Sequence, residues 1–486
     1  MKRIYNYLKN NFYLSLITLY IFLYFPIICL RFQDLRNEIK YFIITKEFLN
    51  HGNIFILRYF SNLYPDKPPL YFWILSIAYK FSPDIFPVIA TILGSTVASF
   101  IVVILTYKLI LKFFNNKTAF LGAFSLALLP LFLGLSIFLR MDMLMTMFIT
   151  YSIYLFCGFY YTWIKVDTKN LSLFYLSLFL GLFTKGIAGL AIPLVVIFVF
   201  LFLERNLKFF KKLKITYGIL FVISLISLWF IAIYFSHDGL DYIKLMLGQE
   251  TIGRIVKSKT HIKPIYYYLE ILPGIIFPYS FIILGVIYKK IKNIKKWSTW
   301  NELEKITFIW VIIPFLIFSL ASGKLAVYLL PILPPAIILI VINTLNNEDK
   351  YINFFFKLSE FLLIIPLLYN LLRKKRYNNF FRLKIIIISL SIYISIFILG
   401  MNFYNNLYSI KPFIPLIQKE NTIAFSFEDG KNLQYFTNYP IKNYSDISEI
   451  KNNSNLIITK RKYTSQLKEI GYQVIFENKV YSILKK

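Results

Sequence analysis

Long apolar runs separated by short polar breaks dominate the chain. Residues 11–30, 118–139, 143–164, 215–236 and 385–410 contain no Asp, Glu, Lys or Arg. A helix needs about 20 mostly apolar residues to cross the hydrocarbon core of a bilayer. Only helices and closed barrels satisfy their backbone groups there. These runs are continuous rather than alternating, which selects helices over barrel strands. Further apolar segments lie near 88–113, 170–184, 187–204, 270–288, 306–322 and 325–344. The run 352–371 reads as an interfacial helix or a two-helix hairpin. The pattern predicts an all-α polytopic membrane protein with about 11 to 13 transmembrane helices, an odd number.

After the last run the pattern changes. Residues 421–427 and 455–459 read as short strands and 463–470 as a helix, while 472–476 can pair with 480–484 across Glu477-Asn478-Lys479. The expected division is a transmembrane domain over 1–404 and a small extracytoplasmic α/β domain over 405–486. No chemistry is legible in the second.

Composition and charge then orient the chain. It is 58% hydrophobic and 16% charged, against about 25% charged in ordinary soluble domains. The net charge is +30, but its placement argues against nucleic acid. Arg205, Lys208, Lys211, Lys212 and Lys214 lie between two apolar runs, as do Lys289, Lys290, Lys292, Lys295 and Lys296. Short basic loops mark the cytoplasmic side, and no soluble domain presents these clusters to a nucleic acid. Cys29 and Cys157 sit inside apolar runs, which disfavours a disulfide framework or a thiolate metal site. The basic stretch 1–9 before a full-length span reads as a retained signal anchor with its start inside. The first span then exits on the outer face, and the carboxyl terminus is expected outside.

Charge that avoids the cytoplasmic clusters is the informative set. The first outer loop carries Asp34, Arg36, Glu38 and Lys40, then Asp66-Lys67-Pro68-Pro69. Other outer ends of spans contribute Arg140 and Asp142, Lys185 and Lys324, and the loop 237–268 adds Arg254 and His261. Ionisable groups at span ends are costly unless paired or solvated. The plainer alternative for any one of them is snorkelling or helix-end pairing. Taken as a set, cations suit a phosphate or diphosphate headgroup. Nearby carboxylates suit a general base or a divalent metal. Together they suggest group transfer from a lipid-phosphate carrier. No Walker pattern supports an ATP-driven reaction.

Asp34-Leu35-Arg36-Asn37-Glu38-Ile39-Lys40-Tyr41 and Asp66-Lys67-Pro68-Pro69-Leu70-Tyr71-Phe72-Trp73 resemble the first-loop signature of the protein O-mannosyltransferase and lipid A aminoarabinose transferase (ArnT-like) family. Arg140-Met141-Asp142-Met143-Leu144, Thr184-Lys185-Gly186 and the segment from Lys324 to Pro331 follow in family order. The resemblance implies the GT-C glycosyltransferase fold, with juxtamembrane helices in the first outer loop. It also implies a polyprenyl-phosphate sugar donor and transfer on the outer face of the cytoplasmic (inner) membrane. The acceptor would be a lipid such as lipid A, a protein, or an envelope glycan. A lipid-linked sugar polymerase or ligase, and a transporter or flippase, are the competing classes.

On this resemblance Asp34, Glu38 and Asp142 are the catalytic candidates, although Asn37 stands where the family has Asp. Lys67, Arg254, Lys324, Lys185, Lys40 and Arg140 are the donor phosphate-binding candidates. Some relatives bind zinc through a His three residues before the arginine, where this chain has Thr251; Asp66 matches their acidic ligand and His261 is a candidate replacement. A reporter fused to the carboxyl terminus is expected to be active only when it functions outside the cytoplasm. Cytoplasm-specific activity would overturn this topology.

Overall fold

The computed structural model describes residues 10–248, 261–345, 350–361, 363, 379–437, 439–450 and 455–486. Among them seven helices are long and apolar enough to cross a membrane: Phe12–Leu30, Phe86–Phe113, Met141–Tyr160, Ile215–Tyr234, Glu302–Leu320, Ala326–Leu345 and Asn379–Leu399. Asn116–Ala127 and Pro130–Ile137 meet at 62° and make an eighth if they act as one span. Pro130 explains the break, because proline brings no N–H and holds the preceding Leu129 extended. The chain is thus a multi-pass membrane protein. The larger expected number of spans draws on shorter helices such as Ala188–Leu203 and Ser280–Lys292. It also draws on the run 352–371, whose helix Lys350–Phe361 is described and whose remainder falls almost wholly outside the described residues.

Burial sorts these helices. Ala326–Leu345 runs through the middle of the bundle with 83% of its apolar window buried, whereas Ile215–Tyr234 has 11%. Leu220, Ile223, Leu228 and Ile231 of the latter face outward, as lipid-facing residues do. The helices Thr168–Lys185 and Ala188–Leu203 touch backbone to backbone. A Cβ on Gly189 would lie 2.1 Å from the Gly181 carbonyl oxygen. Gly186, at φ 104°, makes the turn between them and ends the first helix directly after Lys185.

The C-terminal residues form a five-stranded sheet from β3 (Thr422–Phe425), β4 (Asn443–Tyr444), β5 (Leu456–Lys460), β6 (Gln473–Glu477) and β7 (Tyr481–Lys485), in the order β4-β3-β5-β7-β6. β3 is parallel to β4 and β5, while β7 is antiparallel to β5 and β6. The helix Thr464–Glu469 lies where the sequence places one. Strand β4 and the 3-10 segment Glu428–Phe436 were not anticipated. They carry too little periodic pattern to read.

The loop after the first long helix is anchored by one buried carboxylate. Asp34 caps the turn Leu35–Ile39, accepting from the Asn37 backbone N–H at 2.7 Å, and the helix Lys40–Asn50 continues from it. Glu38 is fully buried inside that turn. Its Oε2 accepts from Arg31 Nη1 at 2.7 Å and from the Asp34 backbone N–H at 2.7 Å. Its Oε1 accepts from Arg31 Nη2 at 2.5 Å and from the Leu139 backbone N–H at 2.7 Å. A carboxylate has about four lone-pair sites, so this one is saturated. It ties the end of the first span and the first-loop turn to the entrance of Met141–Tyr160.

The C-terminal residues are keyed into the same place. Asn405 spans the end of the first helix, donating to the Leu30 carbonyl at 2.8 Å and accepting from the Phe32 N–H at 3.1 Å. Arg31→Ala would leave the Glu38 charge buried without its cation. Breaking such pairs costs about 3–5 kcal/mol, so thermal unfolding in detergent should show a large drop in midpoint. An unchanged midpoint would refute the anchoring role.

Candidate active site

The antiparallel pair β1 (Arg58–Tyr59) and β2 (Asn62–Leu63) follows the first-loop helix. Its turn is Phe60-Ser61, with φ of 52° and 63°. A two-residue turn with both central φ values positive suits the twist of a hairpin, but normally uses Gly or Asn. Asp238, beyond the helix Ile215–Tyr234, pairs with Arg58 and braces the hairpin from a second segment. Pro68 and Pro69 then lead into the helix Leu70–Phe81 and leave Asp66 and Lys67 just outside its start.

These elements bring together a cluster of charged side chains at helix ends. Asp66 is held by the Tyr64 hydroxyl at 2.7 Å and by Lys67 Nζ at 3.1 Å. Asp142, in the first turn of Met141–Tyr160, is buried. It accepts from Arg140 Nε at 3.0 Å and pairs with Lys185 at the end of its own helix. A cation is favoured at that C-terminal end by the helix dipole. The Lys185 ammonium also stands 4.8 Å from the centre of the Tyr328 ring. Lys67 and Lys185 lie close enough to repel. Tyr41 sits between the two groups: burial pushes its phenol up, Arg140 opposes this, and Asp142 and Asp66 add to it.

Lys40 faces the rings of Tyr59 at 4.9 Å and Tyr64 at 4.5 Å. Burial holds its ammonium below the usual lysine range, Asp66 raises it, and Lys67 lowers it further. Among the described residues this cluster therefore gathers Lys40, Lys67, Arg140 and Lys185 around Asp66 and Asp142. The cations outnumber the carboxylates by two. A doubly charged phosphate balances such a cluster.

Other predicted site residues fall elsewhere. Glu38 spends all its lone pairs on the anchor above, which makes it a positioning residue rather than a proton acceptor. Its burial required donors from two segments far apart in sequence, which the sequence could not show. Lys324 is buried, and its ammonium donates to the Lys263 carbonyl at 2.9 Å and the Ala321 carbonyl at 2.5 Å. It closes the end of Glu302–Leu320, the helix-end role that is the plainer alternative for such a residue. Arg254 and Thr251 lie outside the described residues.

Asp34 keeps its candidacy. Its Oδ2 accepts from the Asn37 backbone and side-chain amides at 2.7 and 2.9 Å, while Oδ1 has no hydrogen-bond partner among the described residues. The residue lines a cavity of about 940 Å³ whose walls include Ile27, Leu133, Ile137, Leu390 and Phe397. Arg31 and Tyr481 also line it.

The described residues do not fit a metal centre. No group of three or more His, Cys, Asp or Glu side chains converges among them, and Asp66 faces an ammonium instead. Several participants are not legible in the sequence: Arg31, Tyr59, and Asp429 and Lys431 near the C-terminus. The one usable signal was Arg31 seven residues before Glu38 at the mouth of the first span.

A double-mutant cycle on Asp142→Ala and Lys185→Met should show a coupling of about 1–3 kcal/mol in thermal unfolding. Strict additivity would mean that the pair does not hold this end of the bundle.

A family model described as dolichyl-phosphate-mannose-protein mannosyltransferase matches residues 66–231. The undecaprenyl phosphate-α-4-amino-4-deoxy-L-arabinose arabinosyl transferase of Shewanella sediminis is 27% identical over 354 residues, covering 70% of this chain and 62% of that protein. The enzyme of the same name from Photorhabdus laumondii is 30% identical over 313 residues, covering 62% and 53%. The chain thus spans less than two thirds of the length of these curated relatives. The crystal structure of ArnT from Cupriavidus metallidurans bound to undecaprenyl phosphate has the same fold, with a TM-score of 0.76 at 13% identity over 98% of both chains. The chain is thus similar over part of its length to these sugar transferases and shares the fold of the ArnT crystal structure.

Proposed function

We propose that the protein transfers a sugar from a polyprenyl-phosphate donor to a lipid, protein or envelope-glycan acceptor at the outer face of the cytoplasmic membrane. The observation that carries this reading is the cluster of Lys40, Lys67, Arg140 and Lys185 around two carboxylates at the end of an apolar bundle. The matched family and relatives, named for polyprenyl- or dolichyl-phosphate sugar transfer, support it.

In the reaction the acceptor oxygen forms a bond to the anomeric carbon as that carbon's bond to the phosphate oxygen breaks. The bonding pair leaves with the polyprenyl phosphate. Lys67, closest in sequence to the loop's Pro-Pro turn, and Lys40 and Lys185 stabilise the charge that grows there. Asp142 holds Lys185 and Arg140 in place for this task. With a hydroxyl acceptor, the unbonded oxygen of Asp34 receives the proton. An acceptor phosphate already carries its negative charge and requires no proton removal.

The cavity beside Asp34 favours a lipid acceptor over a protein one. Its lining is mostly apolar, from the first and last described spans and from the segment 128–138, with Asp34 and Arg31 among its polar groups. A long acyl chain fits such a shape, and an extended polar peptide would leave its backbone groups unpaired there.

In vesicles supplied with an undecaprenyl-phosphate sugar, Lys67→Ala should reduce kcat/KM by about 10²–10³. Asp34→Asn should reduce kcat by about 10²–10⁴ for a hydroxyl acceptor. Full transfer by both variants would overturn the assignment.

A further inference from the structure

The C-terminal sheet domain reaches the charged cluster through one short segment. Its 3-10 stretch Glu428–Phe436 lies against the first-loop turn Leu35–Ile39. Asn432 is the key: it is 1% exposed, and its side-chain amide donates to the Leu35 carbonyl at 2.9 Å. Its oxygen accepts from the Tyr59 hydroxyl at 2.5 Å. One buried side chain thus fixes this segment to both the capped turn and the hairpin.

That bond sets where Lys431 stands. Its ammonium lies 4.7 Å from the centre of the Tyr59 ring and 5.4 Å from that of Phe60. Lys40 addresses the same Tyr59 ring from 4.9 Å. Two cations therefore share one aromatic ring, and Lys40 is repelled by both Lys431 and Lys67. Asp429, two residues before Lys431, offsets part of this charge. Asp66 is already engaged by Lys67 and Tyr64.

The rings themselves are presented at a cost. Phe60 and Ser61 both sit in the left-handed region, where a non-glycine residue costs on the order of 1–3 kcal/mol. Of these features, the repulsion of Lys431 and Lys40, the latter beside Lys67, is the one that a bound anion would offset.

We propose that Lys431, placed by Asn432, is a phosphate-binding residue of the site, so that the C-terminal domain takes part in binding an anionic substrate. It forms with Lys40, across the Tyr59 ring, a subsite for a phosphate monoester or diphosphate group. The group is lipid-borne or free. This rests on the transferase reading for the substrate's role, but not for the binding itself.

The test uses the full chain in phosphatidylcholine nanodiscs, titrated with phosphatidic acid or with inorganic pyrophosphate. The variants are Lys431→Ala, Lys431→Arg, and Lys462→Ala as an exposed lysine of the same domain. Lys431 is exposed, so these variants should fold normally. Binding is expected to weaken roughly tenfold in Lys431→Ala, to return in Lys431→Arg, and to be unaffected in Lys462→Ala. Loss with phosphatidic acid alone would identify a lipid-borne phosphate, and loss with pyrophosphate as well a site for the group itself. Equal binding by wild type and Lys431→Ala, or an equal loss in Lys462→Ala, would overturn the proposal.

In the transfer assay Lys431→Ala should raise KM for a phosphate-bearing substrate while leaving kcat within about twofold. A wild-type protein without transfer activity would refute the transferase reading and leave the binding result to judge Lys431 alone.

Discussion

The Glu38 carboxylate is the point at which one end of the helix bundle is assembled. A charge this deeply buried is tolerated only when every lone pair is met, and the donors here come from three places in the chain. Arg31 closes the first span, Asp34 opens the capped turn, and Leu139 leads into the helix that carries Asp142. Lys40 and Tyr41 follow within one turn of the anchor, and Arg140 is the residue after Leu139. The clustered charges are therefore placed by one buried carboxylate outside the cluster.

The rest of the cluster follows from where helices end. Lys185 stands at a helix terminus because Gly186 turns the chain there, and the turn is tight because Gly181 and Gly189 let two backbones touch. Asp142 stands in a first turn and Lys185 in a last one, so the helix dipoles favour each charge where it lies. Span ends are the one depth at which a membrane bundle can gather charge without burying it in hydrocarbon. The same logic gives Lys324 a different use: its ammonium meets backbone carbonyls before it meets any carboxylate.

The small C-terminal domain extends this assembly. Asn405 clamps the end of the first span, and Asn432 locks the first-loop turn to the hairpin. Both are uncharged amides, able to donate and accept at once. Each joins backbone or hydroxyl groups that would otherwise be unsatisfied at a domain boundary. The domain also brings Asp429, whose carboxyl is raised by burial against the pull of Arg36 and Lys460.

The sequence alone determined the membrane class, because uncharged runs of this length have no other stable setting. It also marked the candidate charges, since Asp66, Lys67, Arg140, Asp142 and Lys185 all recur where apolar runs stop. The short terminal strands were legible from β-branched clusters broken by polar turns. Only the tertiary structure decided which charges meet. Glu38 and Lys324 look no different from Asp34 and Lys67 along the chain, because an ion pair or a backbone carbonyl partner is a property of distance in space. Arg31, Asn432 and Lys431 were silent for the same reason: their partners lie on other segments, up to 397 residues away. Hydrophobic pattern is local and survives in one dimension, whereas a site assembled from span ends exists only after the bundle has formed.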